Sequence, residues 1–242
     1  MTRLVIGAGL AAVVASFSCD REAPRGSVAP STATAGTHIP SSIDARMHAD
    51  LDSIREIHRA LIFGDLDAAR SRARQLSSIS ATDEVDEWER PVRFVREQAL
   101  RLASATSARD ARHLSTDLAT VCADCHMVRA RTMRVQAPPE PAADGSLRGA
   151  MARHEWAAET MWIGLIAPSS DIWRKGLAAI TSPPTRSSVF PPRRRQREVE
   201  RLRRRLVALA AESRDLPGQG DRARRLSEIV DVCAACHAIA RR

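Results

Sequence analysis

The feature that most limits how this chain can fold is an internal duplication. The string "ARDARHLSTDLATVCADCH" (108–126) returns as "QGDRARRLSEIVDVCAACH" (219–237). Upstream, Leu61, Ile62, Asp67 and Arg70 fall on Leu165, Ile166, Asp171 and Arg174 at a constant offset of 104, and the same offset sets Met47 on Met151. Between these blocks the second copy has gained seven residues, which the Pro-rich stretch "TSPPTRSSVFPP" accommodates. "QAPPEPAADGS" reads as the linker between the copies. The expected organisation is a first unit over 42–135, a linker over 136–146 and a second unit over 147–242.

Each copy has helical periodicity and no two-residue alternation. Met47, Leu51, Ile54, His58 and Leu61 share one helix face, and Gly64-Asp65 ends that stripe. Asp65 or Asp67 can cap a second helix reaching about Leu76. A third is expected from Asp83 through Trp88, Val92, Val95, Leu100 and Leu102, kinked or started late at Pro91. A fourth runs from about Ser107 through Leu114, Leu118, Val121 and Cys125. The second copy repeats the series near 148–167, 169–181, 193–214 and 219–241. The expected fold class is all-α: two tandem four-helix bundles, each ending in a Cys-x-x-Cys-His cluster.

The amino terminus reads as an export signal over 1–19. Arg3 precedes an apolar run from Leu4 to Phe17, too short for a confident membrane span, and Ser16-Phe17-Ser18 fits a cleavage site. Cys19 is a lipidation candidate, although Ser16 stands where such signals usually have Leu. A Ser-, Thr-, Ala- and Pro-rich tether follows over 20–41. The expected location is the periplasm, or otherwise outside the cytoplasmic membrane, with a lipid anchor as one form. The net charge of +8 is almost all Arg, with Lys175 the only lysine. Its densest run, "RRRQREVERLRRR", reads as a solvated helix face, so no nucleic-acid partner is expected.

Setting Cys19 aside, the remaining cysteines form two pairs, Cys122/Cys125 and Cys233/Cys236, followed by His126 and His237. Cys-x-x-Cys-His is the attachment signature of c-type haem. Two thiols three residues apart on a helix form thioethers with one haem, and the adjacent His is the proximal iron ligand. Two covalent haems are therefore expected. They also supply core volume in a chain with only 3% aromatic residues. A four-thiolate zinc site, a redox-active thiol pair and plain disulfides are the alternatives.

Together with "FGDLDAAR" after the first helix, these clusters at the end of a fourth helix give each half a resemblance to the cytochrome c-prime family and its six-coordinate relatives. The likeness covers each half almost entirely; "APSSDIWRKG" departs from the usual start of the second helix. The resemblance implies a tandem di-haem c-type cytochrome with a distal ligand on each first helix. Met47 and Met151 are the candidates, with His154 the rival in the second half, where the first has Asp50 and, nearby, His48. Only five residues follow His237, so a ligand from upstream is expected. His58 and Met161 lie three turns away, and His58 reads as a satisfied core histidine. Arg129 and Arg241 can pair with haem propionates or lie in solvent.

The expected function is Fe(II)/Fe(III) electron carriage between redox partner proteins. The alternative is a gas-binding or sensing module with an open sixth site. No further acid–base constellation is present, so the chain is not expected to be an enzyme.

Overall fold

In a computed structural model of the protein, the described residues are 43–78, 86–128, 136–142, 144–181 and 193–241. The signal, Cys19, the tether, the seven-residue insertion and Arg129 lie outside them. Every regular element among the described residues is a helix: α1 (Ile43–Ile62), α2 (Leu66–Ser78), α3 (Asp86–Ala103), α4 (Ala108–Val128), α5 (Leu147–Ile166), α6 (Ser170–Ile180), α7 (Arg193–Glu212) and α8 (Gln219–Ala240). None is long and apolar enough to cross a membrane.

Local chemistry sets the helix ends. Gly64 (φ 71°) closes α1: its N–H donates to the Leu61 carbonyl at 3.0 Å, and the Asp65 N–H reaches back to Ala60 at 2.8 Å. This paired arrangement requires a left-handed residue, which glycine supplies without steric cost. Asp65 then caps α2 by accepting from the Ala68 N–H at 2.9 Å. Ser107 caps α4 through the Asp110 N–H at 3.1 Å and donates its own hydroxyl to the Asp110 carboxylate at 2.6 Å. Ser146 and Ser169 cap α5 and α6. Pro91 falls inside α3, in its second turn, where a single backbone bond is forgone; the residues before Asp86 are not described, so the expected start at Asp83 lies outside. Leu102 is buried while Leu100 is exposed, so only the first belongs to the core face.

Within each repeat, consecutive helices pack side by side. The repeats also pack on each other, within one compact unit over 40–242. The α4/α8 pair runs antiparallel: Arg112, early in α4, pairs with Asp231, late in α8, while Gln219 at the start of α8 donates to the Leu165 carbonyl (2.7 Å), next to the residue that meets the end of α4. The first helices of the two repeats are likewise antiparallel. Arg55 pairs with Glu159, its own repeat equivalent, and Arg59 with Glu155 at 2.8 Å. His58 stacks on its equivalent, Trp162, at 5.6 Å. An approximate two-fold axis therefore passes between α1 and α5.

One contact is peculiar to the second repeat. A Cβ on Gly164 would lie 2.6 Å from the Trp173 backbone nitrogen, and one on Gly176 would lie 2.7 Å from the Ala157 carbonyl oxygen. The first repeat has Ala60 and Arg72 at these positions. Backbone cannot yield as a side-chain tip can, so Gly164→Ala is expected to force α5 and α6 apart and cost about 2 kcal/mol, read as a lowered urea midpoint.

Candidate haem-attachment sites

The two Cys-x-x-Cys-His clusters occupy the last turns of α4 and α8. Those helices are antiparallel, so the clusters stand at opposite ends of the pair. The 22 residues of α8 separate them by roughly 30 Å. Cys122 and Cys125 cannot join Cys233 and Cys236 in one four-thiolate site at that distance. None of the four is disulfide-bonded, and among the described residues no three His, Cys, Asp or Glu side chains converge on a common point.

The thiols are apolar in character. Burial pushes Cys122 up to about 12, helped by the charges of Asp50 and Cys125, and pushes Cys233 up to about 12, with Cys236 adding to it. Burial also raises Cys236. A redox-active thiol pair needs the opposite, a stabilised thiolate.

Each histidine is held by the other repeat. His126 Nδ1 lies 3.1 Å from the Ile166 carbonyl oxygen at the end of α5, and His237 Nδ1 lies 2.9 Å from the Ile62 carbonyl oxygen at the end of α1. Ile62 and Ile166 are repeat equivalents, so the arrangement is reciprocal. A carbonyl only accepts, so each Nδ1 is the protonated nitrogen and donates. In the neutral ring that leaves the Nε2 lone pair available as a ligand. Metal-binding histidines are commonly held in this way, with the second nitrogen fixed by a carbonyl.

The surroundings of the two histidines differ. Phe63 stacks on the His237 ring with centroids 4.8 Å apart and planes 12° apart. Arg241 is exposed, and its guanidinium donates to the Phe63 carbonyl. The repeat equivalent of Phe63 is Ala167.

No family model, curated protein or solved structure matches the chain. The reading of the sites therefore rests on their chemistry and geometry.

The distal candidates sit on the expected helices. Met47 is half-buried near the start of α1, and Met151, on α5, is 36% exposed. His154, one turn further, is half-buried; burial lowers its pKa, and the charge of His237 and then that of Arg153 lower it further. His154 is thus within electrostatic reach of His237. At the equivalent point of the first repeat Asp50 acts on Cys122. The beginning of each first helix accordingly faces its own repeat's cluster, while its end holds the histidine of the other. His48 is exposed. His58 is buried, with Ala158 as backbone partner, and its Nε2 has no hydrogen-bond partner among the described residues. Met161 is fully buried against α6.

The residues fit a covalently attached haem. Each cluster offers two thiols at helical spacing and an imidazole whose Nδ1 is held by a carbonyl, which leaves Nε2 available. Sequence reasoning identified the cysteines and histidines but missed Ile62, Ile166 and Phe63. The carbonyls leave no side-chain signature, and the Phe63/Ala167 difference is one of many between the repeats, with nothing to single it out.

Proposed function

We propose that this protein is an exported di-haem c-type cytochrome that passes electrons between redox partner proteins. It is read as a tandem relative of the cytochrome c-prime four-helix-bundle family, one bundle to each repeat, with Cys19 as the lipid-anchor candidate. The observation that supports the reading best is the pair of reciprocal Nδ1–carbonyl bonds, which leave the Nε2 lone pairs of His126 and His237 available.

When bound, haem supplies reversible Fe(II)/Fe(III) chemistry. The protein's own part is then definable. Cys122, Cys125, Cys233 and Cys236 give thioether attachment. His126 and His237 are the proximal ligands. The carbonyls of Ile62 and Ile166 fix ring orientation and raise ligand basicity. Met47, Met151 and His154 are the candidates for the far side of the iron.

A second reading, gas binding at the first site, is favoured by one observation. The position that His154 holds beside His237 is Asp50 in the first repeat. The visible spectrum of reduced protein tests both readings. A c-type α-band unaltered by CO is expected for the carrier. A Soret change at one haem on adding CO would shift the first site to gas binding, and absence of the α-band would remove both readings.

A further inference from the structure

The bonds at the two histidines cross between repeats, and one of them is reinforced. Groups from both repeats meet His237 from outside its own helix turn. The Ile62 carbonyl accepts its Nδ1–H at 2.9 Å. Phe63 covers a ring face at 4.8 Å with nearly parallel planes. His154 on α5 lies within electrostatic reach. The first two belong to the first repeat. At the first site the Ile166 carbonyl holds His126 at 3.1 Å, and the following residue is Ala167, which has no ring to offer. Phe63 itself is 37% exposed and lies beyond the end of α1, so it contributes little to the core. Apart from Arg59 on the preceding turn, whose guanidinium lies 6.0 Å from the ring centroid, its contacts are at the site: the His237 ring and, through its carbonyl, Arg241 four residues past His237.

We propose that Phe63 is a positioning residue for the iron ligand of the second site, provided by the first repeat, and that it makes the two haem sites unequal. The inference rests on the haem reading above. Its physical content is twofold. A ring stacked flat on an imidazole limits rotation about the histidine side chain, so the carbonyl and the iron meet a fixed ring orientation. The same ring keeps water from one face of His237. Solvent access around a metal ligand tunes the metal's potential, and removing apolar cover favours the more highly charged oxidised state. The second haem is therefore expected at a higher midpoint potential than it would have without Phe63. The first has no such device.

The test uses full-length chains in two backgrounds. Cys122→Ser/Cys125→Ser leaves attachment at the second site only; Cys233→Ser/Cys236→Ser leaves it at the first only. Phe63→Leu removes the flat ring and with it the close cover over the imidazole face; Phe63→Tyr keeps the ring. The expected result is that Phe63→Leu lowers the midpoint potential and broadens the low-temperature spectrum of the second haem, that Phe63→Tyr restores both, and that Phe63→Leu leaves the first haem unchanged although Phe63 lies in the first repeat. A shift confined to the first haem, an equal shift in both, or no shift in either overturns the positioning role while the haem reading stands. A chain that attaches no haem in either background overturns the haem reading and the positioning role together.

Discussion

Cys233→Ser/Cys236→Ser is expected to yield a folded protein with one covalent haem, at Cys122 and Cys125, and to leave the spectrum of that haem recognisable. The effect is all-or-none at one site and small at the other. The clusters lie roughly 30 Å apart at opposite ends of the α4/α8 pair, and no thiol of one can substitute for a thiol of the other. Cys233 lies on the same stripe of α8 as Leu226, Ile229 and Val230, which are buried one and two turns earlier, so losing attachment leaves most of the helix's own packing in place. Cys122→Ser/Cys125→Ser is expected to behave as the mirror image. Counting haem by the pyridine adduct in each variant reads the result. Loss of both haems from either double variant would mean that the sites load cooperatively rather than independently.

The second large effect is on acid stability. His58 is 4% exposed, and burial lowers its pKa from 6.5 to about 4, partly opposed by the bond to the Ala158 carbonyl. The folded state therefore holds a neutral imidazole at pH values where the unfolded chain takes up a proton. Nothing is lost above about pH 6.5. As pH falls from there, the unfolded state gains protonation that the folded state refuses, and stability declines until pH reaches about 4. The full difference, about 2.5 units, corresponds to about 3 kcal/mol. The charges around the cleft of about 310 Å³ that His58 lines include Asp52, Glu56, Glu155 and Glu159 as well as Arg55 and Arg59. These groups are the same in parent and variant and drop out of a comparison. His58→Leu is expected to match the parent within about 1 kcal/mol at pH 7, since it substitutes an apolar group of similar volume, and to exceed it by about 2 kcal/mol at pH 4.5. Urea midpoints at the two pH values give the answer; parallel losses in parent and variant would contradict it.

Much of the helical pattern was legible because it is written in local terms. The stripe Ile54, His58, Leu61 is buried as its spacing requires, and Gly64 and Asp65 end one helix and start the next through backbone bonds that only those residue types make readily. The clusters were legible because Cys-x-x-Cys-His is a short local spacing, complete within two helical turns. What the pattern did not reveal was the crossing. A repeat tells which residues are equivalent, and equivalence cannot tell whether Ile62 serves its own repeat or the other. That choice is made by the antiparallel docking of α4 on α8, whose contact residues, Arg112 and Asp231, form an ion pair with no counterpart at their equivalents, Ala223 and Thr120. The same holds for Gly164 and Gly176: each falls inside an expected helix, and nothing in the sequence shows the neighbouring backbone within 3 Å.

The proposal that both clusters hold covalent haem is tested most directly by the intact mass of the denatured mature protein. Thioether bonds survive denaturation, whereas zinc is released by it and a disulfide removes two hydrogens for each pair. The expected result is the chain mass plus two haem groups. The bare chain mass, or that mass less four hydrogens, would contradict the proposal.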